Sequence, residues 1–190
     1  MNLPNSLTIA RFLLAIAFFV LIGFHHPVMK DLALLTFGFA GLTDLLDGYF
    51  ARRHRTVTSF GRVADPFVDK ILICGAFIYF IDPLPPQIGV TRWMVIVIVA
   101  REFIVSGLRG FVESKGIPFG ATVLGKAKMA VQFGTICLLI IYAAHAPGTS
   151  WAQPFGWFVH GAVWLTVIVT VVSGLGYVYL VYARNLLSTK

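Results

Sequence analysis

Charged residues are scarce in this 190-residue chain, where they make up only 12% of the sequence. Hydrophobic residues account for 58%, and the mean hydropathy is +0.84. A soluble domain with a wetted surface is excluded by this balance. A membrane-spanning helix needs about 20 mostly apolar residues, so about six spans with short loops would use the whole length. We therefore predict a single membrane-embedded domain over residues 1–190.

Cysteine is also rare, because only Cys74 and Cys137 occur, and they fall in separate apolar runs. Both are predicted to be packed thiols rather than disulfide partners or metal ligands. The 5 histidines show no ligand spacing, which disfavours zinc. A removable signal peptide is not expected, since the segment before Arg11 has no basic residue and the apolar run continues without a cleavage site.

Long apolar runs predict six helices, separated by breaks that contain proline, glycine or histidine. The helices are expected near residues 8–24, 31–53, 63–81, 92–112, 121–143 and 156–183. Backbone N–H and C=O groups in lipid must form hydrogen bonds within the protein, so only helices or a closed β-barrel can span a membrane. The apolar runs lack the alternation of apolar and polar residues that is typical of barrel strands. The predicted fold class is therefore all-α, with six transmembrane helices.

Basic residues are distributed unevenly between the two ends of the predicted spans. Loops 1, 3 and 5 hold only Lys30 and Arg92, whereas most other basic residues flank the opposite ends. By the positive-inside bias, that opposite face is cytoplasmic. The net charge of +7 is attributed to this topology and to anionic lipid. No nucleic-acid partner is expected, because a basic soluble module is lacking.

Acidic residues number only 8, yet four of them crowd at the predicted cytoplasmic ends of spans two and three. These four are Asp44, Asp47, Asp65 and Asp69. The first two are spaced i,i+3 and the last two i,i+4, so each pair shares one helix face. Ion pairs with neighbouring basic side chains are one explanation. Four converging carboxylates favour instead one or two divalent cations, Mg²⁺ or Mn²⁺, that hold an anionic substrate.

Small residues and an arginine at fixed distances from these aspartates complete a longer pattern. The segments are Asp44-Leu-Leu-Asp47-Gly48-Tyr-Phe-Ala51-Arg52 and Gly61-Arg-Val-Ala-Asp65-Pro-Phe-Val-Asp69. They resemble the signature D-x-x-D-G-x-x-A-R-x8-G-x3-D-x3-D of the CDP-alcohol phosphatidyltransferases at every fixed position. The resemblance implies a homodimeric six-helix membrane enzyme that transfers a phosphatidyl or similar group from a CDP-linked donor to an alcohol and releases CMP.

The same resemblance implies a role for each matched residue. The ligands of two metal ions would be Asp44, Asp47, Asp65 and Asp69, with Asp69 also the catalytic general base. The pocket for the CDP-linked donor would be lined by Gly48, Ala51, Arg52 and Gly61. A small residue leaves room for a pyrimidine, and an arginine offers a charged fork to phosphate.

Three other stretches resemble the phosphatidylglycerophosphate synthases within this family. They are N-x-P-N-x-L-T-x-x-R from Asn2, R-E-x-x-V-S-G-L-R from Arg101, and G-K-x-K from Gly125, the last with Met129 where Thr is usual. This resemblance implies CDP-diacylglycerol as donor and the sn-1 hydroxyl of glycerol 3-phosphate as acceptor. The acceptor phosphate would be held by Arg11, Arg109, Lys126 and Lys128.

Alternatives remain open from sequence alone. The basic side chains would also serve as interfacial anchors, with Arg101 and Glu102 as a buried ion pair. Other acceptors are phosphatidylglycerol, as in a cardiolipin synthase, serine, or an inositol phosphate. A cation carrier would use the aspartates but would not require Gly48, Ala51 and Arg52 at fixed spacing. The expected location is a bacterial inner membrane, with the site facing the cytoplasm.

Overall fold

The computed structural model describes the backbone over residues 3–54, 59–81, 84–85, 88–117 and 122–183. Side chains are described over residues 9–43, 67–81, 84–85, 88–117 and 122–183. The helices are α1 (Leu3–Ile22), α2 (Pro27–His54), α3 (Ser59–Tyr79), α4 (Arg92–Ser114), α5 (Val123–His145) and α6 (Ala152–Ala183). Within the described residues the fold is all-α, which confirms the predicted class.

Contacts between helix ends show that successive helices run in opposite directions. The Tyr79 hydroxyl at the end of α3 donates to the Ile22 carbonyl at the end of α1, over 2.5 Å. Near the start of α2, Lys30 Nζ donates to the Ala143 carbonyl near the end of α5, over 2.8 Å. The ends of odd-numbered helices therefore lie beside the starts of even-numbered ones, as an up-and-down bundle requires.

An apolar core fills the bundle towards this end. Phe18 of α1, Phe37 of α2 and Phe77 of α3 are fully buried in it. Phe37 also stacks on Phe133 of α5, with ring centroids 4.6 Å apart. Lipid tails are as apolar as the core, so the hydrophobic effect does not drive helices together in a membrane. Close side-chain packing of this kind holds them together instead.

Large apolar side chains are exposed on all six helices. Examples, one from each helix in order, are Leu13, Leu35, Ile78, Ile96, Val123 and Leu175. Soluble monomers rarely expose so much apolar surface. Among the described residues, α5 and α6 are long and apolar enough to cross a membrane, and Ile9–Ile22 is a shorter apolar stretch. These features are consistent with an integral membrane protein, while the number of six spans stays a prediction.

Gly41 allows α2 to approach α5 closely. A Cβ atom at this position would lie 2.5 Å from Cε2 of Phe133, and that ring is stacked on Phe37. We expect Gly41→Ala to destabilise the protein by about 1–3 kcal/mol through overpacking, measured as a lower thermal denaturation midpoint in detergent. Gly38→Ala is the matched control, because nothing lies within 4 Å of an added Cβ there. Equal midpoints for the two variants would contradict this packing.

Candidate active site

The four predicted metal ligands fall on α2 and α3. Asp44 and Asp47 lie about one turn apart in α2, and Asp65 and Asp69 about one turn apart in α3. Both helices pack against α1 and α5, so the two pairs lie on helices with the same neighbours. The side chains of Asp44, Asp47 and Asp65 lie outside the described residues. Their role as ligands stays a prediction.

The four residues of the predicted donor pocket are also placed by backbone alone. Gly48, Ala51 and Arg52 belong to the last two turns of α2, and Gly61 to the first turn of α3. The side chains of this stretch lie outside the described residues. The predicted pocket would therefore lie where α2 ends and α3 begins, and its lining stays a prediction.

Asp69 is the predicted metal ligand whose side chain the structure does describe. It is half-buried on α3, next to the buried Val68. Its carboxylate lies within electrostatic range of Lys128 on α5 and of Cys74, about one turn further along α3. The proposed base is therefore within electrostatic range of a buried cation on α5.

The four predicted metal ligands have the chemistry that suits a hard divalent cation. Aspartate oxygens are the ligands that Mg²⁺ and Mn²⁺ prefer. Among the described side chains, no three His, Cys, Asp or Glu residues come together. A metal site at the aspartates would therefore have to include residues outside that set.

A buried ion-pair cluster links α4 and α5 near Asp69. Lys128 Nζ donates to Oε1 of Glu102, and Arg101 Nη1 lies 3.5 Å from the same oxygen. The side chains of Lys128 and Glu102 are only 6% and 10% exposed. The buried Arg101–Glu102 ion pair, which the sequence left open as an alternative, is present, and Lys128 joins the same carboxylate. Lys128, a predicted acceptor ligand, is thus within electrostatic range of Asp69, the predicted base.

Two neutral residues extend this cluster into α6. Gln132 Nε2 lies 3.5 Å from Glu102 Oε1 and donates to Oγ1 of Thr170 over 3.3 Å. Both Gln132 and Thr170 are buried. The buried carboxylate is thus connected to three helices, which limits the positions that its side chain can adopt.

Arg101 is packed against α6 on its other side. Its Cζ lies 5.6 Å from the centroid of the Tyr177 ring, within the range of a cation–π contact. A Cβ atom on Gly174 would be 3.0 Å from Arg101 Cγ. The Nε and Nη2 atoms of Arg101 are buried and have no hydrogen-bond partner within the described part of the chain. These N–H groups of Arg101 can therefore donate to a hydrogen-bond acceptor that is not among the described residues.

The start of α5 is fixed by the same tyrosine. The Tyr177 hydroxyl accepts from the backbone N–H of Thr122 over 3.1 Å. Thr122 Oγ1 in turn accepts from the N–H of Gly125 over 3.1 Å and caps α5. Beyond this cap, Lys126 is exposed and Lys128, two residues later on another side of α5, is buried.

The remaining predicted acceptor ligands have different environments. Arg11 on α1 is buried, with 1% of its surface exposed. Arg109 is about half-exposed on α4, and its Nε donates to Glu113 Oε1 over 2.8 Å. Such exposed i,i+4 pairs contribute little, so the arginine is easily released to another anion. The structure joins Lys128 to Arg101 and Glu102, whereas Arg109 and Lys126 lie at the surface.

Sequence reasoning gave Glu102, Gln132 and Thr170 no part in the site. A signal for the first two was present, because a carboxylate and an amide within apolar runs are unusual in a membrane helix. Thr170 carried no such signal, since threonine is common in membrane helices. Its contact with Gln132 depends on how α5 and α6 pack.

Known proteins resemble this chain over most of its length. The model of the family described as CDP-alcohol phosphatidyltransferase matches residues 1–175. A protein of Bacillus subtilis (strain 168) named "CDP-diacylglycerol--glycerol-3-phosphate 3-phosphatidyltransferase" is 35% identical over 189 residues, covering 93% of each chain. A protein of the same name from Rickettsia typhi is 32% identical over 176 residues, covering 93% of this chain and 94% of its own. The chain therefore belongs to the CDP-alcohol phosphatidyltransferase family.

Proposed function

We propose that this membrane enzyme transfers the phosphatidyl group of CDP-diacylglycerol to the sn-1 hydroxyl of sn-glycerol 3-phosphate. The products are phosphatidylglycerol phosphate and CMP. One observation carries the proposal: relatives that bear the name of this reaction align over 93% of the chain. The similarity thus extends beyond the aspartate signature to α4 and α5, which hold the residues assigned to the acceptor.

Two Mg²⁺ or Mn²⁺ ions are assigned to the four aspartates, on the basis of their oxygen chemistry and helix spacing. The assigned ligands are Asp44, Asp47, Asp65 and Asp69. When bound, such ions supply stabilisation of the charge on the pyrophosphate. The nucleotide end of CDP-diacylglycerol is assigned to Gly48, Ala51, Arg52 and Gly61.

Asp69 is assigned as the general base. It accepts the proton of the sn-1 hydroxyl while that oxygen forms a bond to the β-phosphorus, which carries the diacylglycerol. The bond from this phosphorus to the oxygen that bridges it to CMP breaks, and CMP leaves with the electron pair. Support comes from the half-buried position of Asp69 within electrostatic range of Lys128.

The acceptor phosphate is assigned to four basic residues, Arg11, Arg109, Lys126 and Lys128. The burial of Lys128 near Asp69 supports this assignment, because a phosphate held there would leave the short glycerol chain near the base. Charge-assisted hydrogen bonds to phosphate are stronger inside a protein than at its surface. Lys128 is therefore expected to contribute more than Lys126.

The membrane arrangement completes the proposal. We assign the active site to the cytoplasmic face of a bacterial inner membrane, because basic residues flank that end of the helices. The acyl chains of the donor would lie among the exposed apolar side chains, in contact with membrane lipids. A homodimer is proposed from the family resemblance.

The acceptor assignment is tested by CMP release from purified protein in detergent with CDP-diacylglycerol and Mg²⁺ or Mn²⁺. The acceptor is varied among glycerol 3-phosphate, serine, phosphatidylglycerol and an inositol phosphate. We expect turnover with glycerol 3-phosphate and background release with the other three. Turnover with another acceptor alone would leave the family intact and refute this member's proposed substrate.

Lys126→Ala is expected to raise the KM for glycerol 3-phosphate by about fivefold, because one charged contact near the surface is lost. The KM for CDP-diacylglycerol should stay unchanged. Lys115→Ala is the matched control, because Lys115 is also an exposed lysine on the predicted cytoplasmic side. Initial rates at varied concentrations of each substrate give both constants. A change confined to the donor KM would remove Lys126 from the acceptor site.

A further inference from the structure

Glu102 is a buried carboxylate to which no part in the reaction has yet been given. Its Oε1 atom is approached by three side chains. Lys128 and Gln132 reach it from α5, and Arg101 is its neighbour on α4. We propose that Glu102 is a positioning residue for the acceptor site. It holds the Lys128 ammonium and the Arg101 guanidinium beside each other, so that both reach one phosphate group. The inference rests on the proposed function.

The shared oxygen makes the two cations neighbours. A lysine side chain has four rotatable bonds, and burial alone would not select one position for its ammonium group. Glu102 selects it, because Lys128 Nζ donates to the oxygen that also lies 3.5 Å from Arg101 Nη1. Two mutually repelling cations are thereby kept close together before any substrate is bound.

The open donor groups of Arg101 point to an anionic ligand. Arg101 and Lys128 carry two positive charges, Glu102 carries one negative charge, and Asp69 is a second carboxylate within electrostatic range of Lys128. Nε and Nη2 of Arg101 are buried without a hydrogen-bond partner inside the described ranges. Unsatisfied buried donors are costly, and a phosphate oxygen would satisfy them.

A second layer of contacts fixes Glu102 itself. Gln132 lies between this carboxylate and Thr170, and both neutral side chains are buried between α5 and α6. Arg101 is in addition packed on Tyr177 and close to Gly174 of α6. The carboxylate is thus held by three helices, which suits a group that must orient others.

The proposal is tested with Glu102→Gln, which keeps the size of the side chain and removes its charge. We expect the KM for glycerol 3-phosphate to rise by about tenfold or more, with the KM for CDP-diacylglycerol changed by less than about twofold. Thr135→Val is the matched structural control. It removes the buried contact from Thr135 to Thr166 between α5 and α6, over 2.8 Å, without touching the cluster.

Glu102→Asp keeps the charge and is expected to fold even if Glu102→Gln does not. Its shorter side chain should raise the acceptor KM by about threefold, between wild type and Glu102→Gln. If folded Glu102 variants change both KM values equally, or only lower the denaturation midpoint as Thr135→Val does, the positioning role is refuted. If wild-type protein releases no CMP with glycerol 3-phosphate, the proposed function fails and the inference fails with it.

A double-mutant cycle shows whether Glu102 acts through Lys128. The effect of Glu102→Gln on the acceptor KM should shrink to less than about threefold in a Lys128→Met background, because one of the two cations that Glu102 positions is gone. Additive effects of the two substitutions would contradict action through Lys128.

Discussion

Asp69→Asn is expected to fold and to bind CDP-diacylglycerol, yet to lose about a thousandfold in kcat. An amide has nearly the same shape as a carboxylate but cannot accept the proton of the attacking hydroxyl. It is also a weaker ligand for a divalent cation, which adds to the loss. Single-turnover CMP release gives the rate, and a binding titration with the donor shows that the site is intact.

Asp31→Asn is the matched control for Asp69→Asn. Asp31 is an exposed carboxylate near the start of α2, at the opposite end of the bundle, where His145 Nε2 lies 2.8 Å from its Oδ1. Loss of an exposed pair of this kind should leave kcat within about twofold of wild type. Activity of Asp69→Asn close to that of Asp31→Asn would remove Asp69 from the proton transfer.

Removal of divalent cations is the second change with a large expected effect. Four clustered carboxylates repel one another, and nothing in the proposed mechanism replaces the charge of the ions. Treatment with a chelator should reduce CMP release to background, and added Mg²⁺ or Mn²⁺ should restore it. Full turnover after exhaustive chelation would refute the assignment of metals to this site.

A thermal measurement tests the same site without relying on turnover. A ligand that binds only the folded protein stabilises it, so Mn²⁺ should raise the denaturation midpoint of the metal-free wild type. The rise should be smaller in Asp69→Asn and unchanged in Asp31→Asn. An equal rise in all three proteins would place the bound ion away from Asp69.

The helices could be predicted from sequence because apolar runs of this length have few other solutions in lipid. The starts of α1, α2 and α6 nevertheless precede the predicted starts by several residues. Pro4, Pro27 and Pro154 fall in the first turns of these helices. Proline is tolerated there because its missing N–H would have no partner within the helix, whereas the prediction counted Pro27 as part of a break.

The site was predictable where it depends on spacing along one helix. The aspartate pairs needed only the period of an α-helix, and the helices observed over both pairs agree with that spacing. Lys126 and Lys128 show the limit, since a motif names both, yet two residues along a helix point to different sides. The partnership of Lys128 with Glu102 depends on how α4 and α5 each pack against α3 and α6. The periodicity of a sequence does not indicate which residues of two different helices come into contact.

The most direct test of the proposed reaction is its stoichiometry. Purified protein is incubated with CDP-diacylglycerol, a divalent cation and glycerol 3-phosphate labelled in its carbon chain. We expect one labelled, phosphate-bearing lipid to form for each CMP released. CMP release without incorporation of the label would show that water, and not glycerol 3-phosphate, accepts the phosphatidyl group, and would contradict the proposed function.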